Sequence, residues 1–459
     1  MSNKLNQETI VNYLKNYGFT FANSEIYGGL ANAWDYGPLG VALKNNIKQL
    51  WWKEFITKNP QGVGLDSSIL MNSSVWKASG HLSNFSDPLI DCKNCHNRFR
   101  ADKLIEQSNV KEKVTEQTSF AELEKIISTN HIVCPVCGKF DWTSIRQFNL
   151  MFATHQGVIE DDKNRLYLRP ETAQGIFINF ANIQRTLRLK LPFAVGQIGK
   201  SFRNEITPGN FVFRTREFEQ MELEYFCFPE QAEQIFQQEL NKIEHFLFDI
   251  LTIDKENVKF VEHKKEELSH YSSKTIDVEF NFPHGWSELW GIANRTDFDL
   301  KQHINASKAN LEYLDVLNNK KVIPYVIEPS VGVERLFYAL IVDKYRIETL
   351  KDNETREVLA LPYALAPYKV AILPLVNKLA DKAQEVYQSL VANGLTVVYD
   401  ASGSIGKRYR RQDAIGTPYC VTIDFDTLEK QTVTIRHRDS MQQETIDVNK
   451  LLSFFNNIE

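Results

Sequence analysis

Polar residues take up an unusual share of the segment from Phe202 to Phe226, where the sequence predicts two strands joined by a Pro-Gly turn. Successive side chains of a strand point to opposite faces, so Arg203 and Glu205 share one face of the first strand. One face of the second strand combines two cations, an aromatic ring, an amide and two carboxylates: Arg214, Arg216, Phe218, Gln220, Glu222 and Glu224. A half-buried strand should show an apolar face instead. The pattern indicates a ligand with phosphates, a flat ring and a cationic group; a solvated face of mutual salt bridges is the alternative.

Helical patterns surround this hairpin. Residues 37–56 place leucine, isoleucine and tryptophan at helical spacing, and the Trp-rich end of this helix is expected to pack against a partner subunit. Residues 229–267 are helical and charged, which predicts an excursion away from the sheet. Further strands are predicted at 165–169, 193–198, 275–282, 287–292 and 325–328, followed by a buried helix after a Gly-containing turn.

The C-terminal part follows a different pattern. Two prolines within residues 361–367 mark a boundary. Beyond it the sequence predicts strands at 369–373, 396–399, 419–424 and 432–435, with helices at 377–392, 405–415 and the end of the chain. This alternation predicts a small α/β domain with a mixed sheet over 363–459, after a first domain over 1–362.

The length and net charge of the chain narrow its possible domain organisation, location and partners. The 459 residues are too many for a single core. No apolar run resembles a signal peptide or is long enough to span a bilayer, so we expect a cytosolic protein without membrane contact. The net charge of −5 gives no hint of nucleic-acid binding, although a whole-chain sum hides local patches.

Four of the six cysteines form two CxxC pairs, Cys92 with Cys95 and Cys134 with Cys137, in a region of about 91–141 that looks inserted. In a reducing compartment such pairs indicate a metal rather than disulfides. Four thiolates suit one tetrahedral Zn²⁺ and leave no open position, so the zinc would be structural. Reduced, metal-free cysteines are the alternative, and His96 and His131 are flanking alternative ligands. Cys227 and Cys420 are most simply core residues.

The polar residues of the hairpin, together with Arg335, could hold a nucleoside triphosphate. Arginine forks match phosphate oxygens, and an exposed Phe offers a stacking surface for a purine. The chain has no Walker-A motif, no GxGxxG before a helix and no kinase signature. The nucleotide would therefore lie on a sheet surface rather than in a glycine loop.

These segments resemble a known family. FRNE (202–205) followed by RTREF (214–218) resembles motif 2 of the class II aminoacyl-tRNA synthetases, and GVER (332–335) resembles motif 3. More narrowly, RPETAQG (169–175), FEQMELE (218–224), SELWGIANRTDFDL (287–300) and EPSVGVER (328–335) resemble the dimeric glycyl-tRNA synthetases. The similarity runs over nearly the whole chain. It implies an α+β fold: a class II antiparallel sheet flanked by helices, a zinc-binding insertion at about 91–141, a helical insertion at about 229–270 and a C-terminal mixed α/β anticodon-binding domain.

The resemblance also implies an ATP site. Arg203 would contact the α-phosphate, Phe218 would stack on the adenine, and Arg335 would cover the other face of the ring and reach the γ-phosphate. Glu288 and Glu328 would lie near Mg²⁺ and the triphosphate; taken singly, each is equally an ordinary surface carboxylate. Catalytic roles are expected for Arg203, Glu205 and Arg335. The other expected ATP contacts are Asn204, Phe213, Arg214, Thr215, Arg216, Glu217, Leu289, Gly332, Val333 and Glu334.

A glycine site is implied at Glu171, Glu222 and Ser330, with Arg100 as a further contact from the insertion. Its other expected members are Phe218, Glu219, Gln220, Met221, Glu328, Pro329, Val331 and Gly332. Carboxylates can bind the ammonium, and packing can exclude a methyl group. Every competing amino acid is larger than glycine, so no editing domain is expected.

The implied activity is the ATP-dependent attachment of glycine to tRNA(Gly) through a glycyl-adenylate, carried out by a homodimer. Positioning and charge neutralisation by arginines and Mg²⁺ would carry the first step. Basic residues near one predicted helix, Lys407, Arg408, Arg410 and Arg411, form a solvated face when taken alone. The resemblance places them in an anticodon-binding domain, where they would meet the RNA backbone.

Two other functions are compatible with parts of the pattern. A non-catalytic relative, such as the accessory subunit of mitochondrial DNA polymerase, would keep the fold but lose charged site residues that are present here. The second possible function is that of a class II synthetase for serine, threonine or proline. The acidic pair Glu171 and Glu222 argues against this function.

Overall fold

In the computed structural model, strands from different parts of the sequence pair into one large sheet. The structure describes residues 6–458 except 109, 111, 113, 115–117, 162, 265–267, 269–271, 317 and 351–352. Within these residues the main sheet has seven strands, in the order Val258–Glu262, Lys274–Phe282, Gly285–Thr296, Tyr325–Gly332, Glu217–Cys227, Phe193–Phe202 and Gly62–Gly64. All neighbours pair antiparallel except Gly62–Gly64, which runs parallel to its neighbour. The antiparallel sheet and mixed helix and strand content confirm the predicted fold class.

The polar hairpin differs from its prediction in one respect. The first strand ends at Phe202 and the second begins at Glu217, so the segment 203–216 is a loop with a short 3₁₀ helix rather than a tight turn. Asn210 and Phe211 adopt left-handed backbone conformations, with φ of 56° and 60°, which interrupts the extended chain. Arg203, Glu205, Arg214 and Arg216 therefore lie on this loop, and the predicted alternation holds only from Phe218 onward.

The helix predicted at 37–56 is present as Pro38–Trp52, continued by a π-helical turn at Lys53–Thr57. Pro38 occupies its first turn, where the missing N–H costs nothing. The prediction for its Trp-rich end was wrong for Trp51, which is fully buried in the chain's own core and stacks on Phe55 at 5.3 Å.

The expected excursion after residue 229 does not leave the sheet. The helix Ala232–His245 buries Ile235, Phe236 and Ile243 in the main core, and its charged residues other than the buried Glu239 face outward. Val258–Glu262 then forms the edge strand of the main sheet. The prediction took the charged outer face of an amphipathic helix for a helix without a partner. Residues 265–267 and 269–270 of the predicted insertion lie outside the described residues.

The region between the cysteine pairs contains two helices, Ala101–Glu106 and Phe120–Thr129, that pack together over a small core. The second begins with a capping box between Ser119 and Glu122. The centre of the predicted charged helical stretch, at 109, 111, 113 and 115–117, is outside the described residues. A three-stranded sheet of Arg98–Arg100, Ser86–Asp91 and Arg146–Asn149 joins this region to the rest of the chain.

The C-terminal sheet is mixed, as predicted. Its order is Val397–Tyr399, Val370–Pro374, Tyr419–Ile423, Thr432–His437 and Gln443–Asp447, with the first three strands parallel and the remaining pairs antiparallel. The sequence did not predict Gln443–Asp447, because this edge strand is mostly exposed and shows no apolar alternation.

The remaining elements complete the layers around the two sheets. The helices not yet named are Gln7–Asn16, Ser73–Ala78, His81–Asn84, Ala173–Leu187, Phe298–Ser307, Val333–Lys344, Ala380–Ala392, Ile405–Ile415, Phe425–Lys430 and Leu451–Asn456. Short strand sets are Thr20–Ala22 with Trp34–Tyr36, Leu70–Met71 with Arg165–Leu168 and Ala153–His155, Tyr313–Asp315 with Lys320–Val322, and Tyr345–Thr349 with Thr355–Leu359. In the described part of the chain no helix has both the length and the apolar character needed to cross a membrane.

Candidate active site

The centre of the main sheet carries the candidate site. Glu222 on the strand Glu217–Cys227 lies opposite Ser330 on one neighbouring strand and Gln197 on the other. Gln220 and Glu224 share its face of the sheet because side chains alternate along a strand. All but Ser330 are buried, so this polar face lies inside the protein rather than in solvent.

Glu222 is fixed by four hydrogen bonds. Its carboxylate accepts from the backbone N–H of Thr172 at 3.0 Å and from the Thr172 hydroxyl, and it also accepts from Gln220 and Ser330 at 2.8 Å each. Burial raises the pKa of Glu222 and the nearby charge of Glu171 adds to the rise, whereas the bonds from Thr172 and Ser330 oppose it. The structure thus brings together Glu171, Glu222 and Ser330, the three residues expected to bind glycine.

Glu171 precedes the helix Ala173–Leu187 and is held on both carboxylate oxygens. Gln174 donates to Oε1 at 3.0 Å, and the ring Nε2 of His81 lies 3.3 Å from Oε2. Burial alone would raise the pKa of Glu171, but His81 and then Arg295 hold it well below its ordinary value. Glu171 is therefore an ionised carboxylate beside Glu222.

Arg295 organises the far side of this site, and the sequence analysis did not assign it a role. Its guanidinium pairs with both oxygens of Asp299, at 2.8 and 2.9 Å, and with Glu328 at 2.9 Å. Burial raises the pKa of Glu328 to about 8, and Glu222 and Glu171 add to the rise, although Arg295 opposes it. Arg295 and Asp299 both lie within the motif SELWGIANRTDFDL, but the sequence alone does not show that their side chains form an ion pair.

Acidic side chains outnumber basic side chains around this point. We name Glu171, Glu222, Glu224, Asp299 and Glu328 the acidic cluster. Glu224 is completely buried and neither of its oxygens has a hydrogen-bond partner, so burial and then Glu328 raise its pKa well above the ordinary value. A buried cluster of this composition is unfavourable without further positive charge, which makes it suited to a cationic ligand.

Arg203 lies next to the acidic cluster on the loop side. Its Nε donates to the carbonyl of Pro170 at 3.1 Å, and its guanidinium lies 5.3 Å from the ring centroids of both Phe85 and Phe218. The residue is only half-buried, so the remaining N–H groups are accessible for an anion. Phe85 was not predicted, since its role depends on a contact distant in sequence.

Arg335 lies just beyond the end of the strand Tyr325–Gly332, in the first turn of the helix Val333–Lys344. It donates to the carbonyl and to the carboxylate of Glu288 at 3.0 Å each, and it covers the ring of Phe213 at 4.4 Å. Its charge holds the pKa of Glu288 below the ordinary value. His284 packs on Phe213 at 4.7 Å, and burial lowers the pKa of His284 to about 4, helped by the charges of Arg335 and Arg214. Arginine and aromatic groups thus line this end.

Several predicted site residues point away from the site. Met221, Leu289, Val331 and Val333 are buried in the main core. Glu219 and Glu334 form ion pairs with Lys44, and Glu217 pairs with Lys200 at the surface. Glu219 lies on the opposite face of the sheet because side chains alternate along a strand, and Glu334 lies in the first turn of the helix Val333–Lys344. Apart from the exposed Glu217, these positions can offer a ligand backbone atoms only, which corrects the expectation for their side chains.

The other predicted contacts lie around the loop 203–216 and at the end of the strand Tyr325–Gly332. In the loop, Arg216 donates to the Glu205 carbonyl at 3.2 Å and the Thr215 hydroxyl donates to the Glu217 carbonyl at 2.9 Å, whereas Asn204 and Arg214 are half-buried. Pro329 is buried within the strand, and Gly332 ends it before the helix that carries Arg335. Arg100 is committed to Asp87 at 3.1 Å and Asp102 at 2.7 Å, and the charge of Glu205 also acts on it.

The four paired cysteines converge. Their sulfur atoms all lie within 4.8 Å of one another, with Cys92 3.6 Å from Cys137 and Cys95 3.6 Å from Cys134. Zn–S bonds of about 2.3 Å in a tetrahedron would separate the sulfurs by about 3.8 Å, so the cluster fits this ion. His131 instead stacks on Phe140 at 4.3 Å. Cys227 and Cys420 are buried, as expected of core residues.

The basic helix Ile405–Ile415 is only partly available for RNA. Arg408 is buried and donates to the carbonyls of Gly403 and Pro374, and Arg411 pairs with Asp400 at 2.6 Å. Lys407 is exposed and Arg410 is half-buried. The prediction of an RNA-facing row fails for Arg408, because its spacing turns it into the protein.

Comparison with known proteins gives this site a context. Residues 155–345 match the family model described as "tRNA synthetase class II core domain (G, H, P, S and T)". Residues 107–150 match "Glycyl-tRNA synthetase insertion domain 1", and residues 369–458 match "Anticodon binding domain".

Curated relatives match over the full chain. A glycine–tRNA ligase of Malacoplasma penetrans is 60% identical over 462 residues, covering 100% of both chains. The chain belongs to the glycine–tRNA ligase family, with a class II core. The glycine–tRNA ligases of Ureaplasma urealyticum and Alkaliphilus oremlandii are 60% and 56% identical; the matches cover 99% of this chain and 97% and 99% of theirs.

A solved structure agrees in fold. The crystal structure titled as the RNA binding domain of threonyl-tRNA synthetase from Cryptosporidium parvum aligns with a TM-score of 0.66. It covers 99% of this chain and 98% of that chain at 17% identity, so the similarity shows a shared fold without bearing on the substrate.

Proposed function

We propose that this glycine–tRNA ligase attaches glycine to tRNA(Gly) in two steps that share one site on the main sheet. The observation that carries the proposal is the acidic cluster, which lies beside the accessible guanidinium of Arg203. A substrate that joins an ammonium to a carboxylate would bring its positive end to the cluster and its negative end towards Arg203.

Glycine would bind between Glu171, Glu222 and Glu328, with Ser330 beside it. Glu222 and Glu171 are held in place by fixed donors, so little rearrangement is needed when the ammonium arrives. Glu328 is buried against the buried Arg295, whereas Glu288 is exposed, so we assign Glu328 to the amino acid rather than to the metal. Size exclusion is sufficient for selectivity because alanine and serine are larger than glycine.

ATP would bind along the face from Arg203 to Arg335. Arg203 would bind the α-phosphate, Phe218 would stack on the adenine and Arg335 would reach the γ-phosphate, with loop residues including Glu205 around them. Glu288 is exposed beside Arg335 and offers the oxygen ligand that Mg²⁺ prefers. A bound Mg²⁺ would neutralise phosphate charge.

In the first step the glycine carboxylate attacks the α-phosphorus and pyrophosphate leaves, which gives glycyl-adenylate. The proposed role of Arg203 is to stabilise the charge that develops on the α-phosphate. In the second step a terminal ribose hydroxyl of the tRNA attacks the glycyl carbonyl and AMP leaves. No Cys-His or Ser-His pair is needed for this sequence of bonds.

The rest of the chain would support this chemistry. We propose a catalytic domain over 1–362 and an anticodon-binding domain over 363–459, and the match of residues 369–458 supports the second. Cys92, Cys95, Cys134 and Cys137 would hold a structural Zn²⁺. A homodimer is proposed from the resemblance of the chain to the dimeric glycyl-tRNA synthetases. A cytosolic location is proposed because this cysteine cluster requires reduced thiols.

Two assays test the proposal. The protein should transfer glycine to tRNA(Gly) and should catalyse glycine-dependent exchange of pyrophosphate into ATP. Arg203→Ala should lower the exchange rate by about two to three orders of magnitude, as expected for loss of a group that stabilises the transition state. Arg185→Ala, on the exposed surface of the helix Ala173–Leu187, is the control and should keep the rate. Unchanged exchange in Arg203→Ala would contradict the proposed α-phosphate contact.

A further inference from the structure

His81 is a half-buried contact of the site that the proposed function leaves without a role. Its ring Nε2 is 3.3 Å from Oε2 of Glu171, and the two side chains are 12% and 16% exposed. The contact joins positions 90 residues apart in sequence, and His81 belongs to none of the family motifs quoted above.

The surroundings of His81 fix the ring. Trp76 meets it edge-on at 5.5 Å and Phe85 packs on it at 5.3 Å between ring centroids. Asn149 donates to the carbonyls of His81 and Leu82 at 3.3 and 3.2 Å, which anchors the short helix His81–Asn84. The ring therefore has little freedom to leave Glu171.

Ser79 completes the arrangement. Its hydroxyl is 2.8 Å from the ring Nδ1. When this hydroxyl donates to Nδ1, the imidazole hydrogen remains on Nε2, where it can donate to Glu171. The order Ser79, His81, Glu171 therefore directs one N–H at one carboxylate oxygen.

Glu171 has a matching partner on its other oxygen. Gln174 donates to Oε1 at 3.0 Å and is itself held by Asp299 at 3.0 Å and His303 at 2.9 Å. Together His81 and Gln174 define the plane of the carboxylate. Without His81, Glu171 would keep a single fixed donor and could rotate away from the cluster.

We propose that His81 is a positioning residue that orients Glu171 towards the ammonium of the amino-acid substrate. This inference rests on the proposed function, because it needs Glu171 to bind that ammonium. It assigns His81 to amino-acid binding alone and leaves ATP binding to other residues.

The test compares variants of His81 in the pyrophosphate exchange assay, with KM measured separately for glycine and for ATP. His81→Phe keeps an aromatic ring but has no N–H, and it should raise the KM for glycine about tenfold with the KM for ATP within about twofold. His81→Gln can still donate an N–H to Glu171 and should restore a KM for glycine near that of the unmodified protein. The matched control is His245→Phe, since His245 pairs with Asp249 at 2.7 Å on the surface.

A further pair keeps the test decisive if His81→Phe does not fold. His81→Asn is polar but too short to reach Glu171, so it should raise the KM for glycine whereas His81→Gln should not. Equal KM values for glycine in these two variants, or in His81→Phe and the unmodified protein, would overturn the role of His81 alone. Absence of glycine-dependent exchange in the unmodified protein would overturn the proposed function, and this inference with it.

Discussion

At the scale of single residues, the site is unusual for its buried carboxyl groups. Glu222 and Glu224 are almost inaccessible to solvent, and the pKa of each is raised first by burial. Such groups are normally paired or neutral. The arrangement is reasonable if a cation enters, since the ligand then supplies the charge that the protein lacks.

Glycine binding should depend on pH through Glu328. Its pKa of about 8 lies above the ordinary value of 4.5, so ionising it costs folded-state stability as the pH rises from about 4.5 through about 8. An ammonium favours the ionised form, so glycine must displace a proton at lower pH. The KM for glycine is expected to fall by up to about tenfold per pH unit towards pH of about 8 and then to level.

The measurement is exchange kinetics from pH 6.5 to 9, with the KM for ATP followed in parallel as the control. A KM for glycine that does not vary over this range would contradict the assignment of Glu328 to the ammonium.

Site residues differed in how far the sequence could identify them. Glu171 and Glu222 were found because a motif resemblance gave them a context, and alternation had already marked Glu222. Arg295 and His81 were missed, because their importance lies in contacts with residues far away in the chain. The sequence identifies both residues of such a pair but does not show that their side chains are in contact.

At the scale of secondary-structure elements, a buried lysine ties three elements together under the site. Lys44 on the helix Pro38–Trp52 pairs with Glu219 at 2.7 Å and with Glu334 at 2.6 Å. Glu334 also accepts from the backbone N–H of Glu219 at 2.9 Å, and the helix to which it belongs, Val333–Lys344, carries Arg335. The opposite face of the sheet therefore supports the ATP end of the site.

Lys44→Met should destabilise the fold. It leaves the buried carboxylate of Glu334 without its counter-ion, next to Glu219, which keeps only Lys48, so we expect the free energy of unfolding to fall by about 3 kcal/mol in chemical denaturation. Lys48→Met is the matched control: Lys48 pairs with Glu219 alone and is 24% exposed, and its loss should cost no more than about 1 kcal/mol. Equal effects of the two substitutions would argue against the buried bridge.

The cysteine cluster makes a second prediction at this scale. Purified without chelator, the protein should contain about one Zn²⁺ per chain by elemental analysis, because four converging thiolates form a closed tetrahedral site. Cys134→Ser should lower this content and expose the region around the helices Ala101–Glu106 and Phe120–Thr129 to proteolysis. Cys420→Ser, in the other sheet, should leave the zinc content unchanged. A metal-free protein with an intact, protease-resistant insertion would contradict the zinc assignment.

Elements were predicted well where the apolar period was clear, as in the helix Pro38–Trp52 and the strands of the C-terminal sheet. Failures arose where local sequence does not fix the path of the chain. The loop 203–216 was predicted as a tight turn, since nothing local showed that Asn210 and Phe211 adopt left-handed conformations. The strand Val258–Glu262 was not predicted, because it is stabilised by pairing with the strand Lys274–Phe282 rather than by its local sequence.

At the scale of the whole molecule, one buried carboxylate joins the two proposed domains. Asp413 on the helix Ile405–Ile415 is fully buried between Arg356, at 3.0 Å, and Arg436, at 2.7 and 2.9 Å. Arg356 belongs to the strand Thr355–Leu359 before the boundary, and it also donates to the carbonyl of Arg438. The cluster therefore fixes the orientation of the C-terminal domain relative to the strand Thr355–Leu359.

Asp413→Asn should affect the transfer of glycine to tRNA and the pyrophosphate exchange reaction to different extents. Removing the negative charge between two buried arginines loosens the contact between the domains, so transfer of glycine to tRNA should fall more than pyrophosphate exchange, by about tenfold or more. Asp400→Asn breaks the more exposed pair with Arg411 within the C-terminal domain and serves as the control. If transfer and exchange fell by the same factor in Asp413→Asn, the effect would be one of general stability instead.

The central claim is that the acidic cluster selects glycine and that the adjoining arginines activate it with ATP. Pyrophosphate exchange into ATP, measured with each of the twenty amino acids in turn, tests it most directly. The account predicts exchange with glycine and only background rates with the other nineteen, alanine and serine included. Exchange with alanine or serine at the rate of glycine, or no exchange with any amino acid, would contradict it.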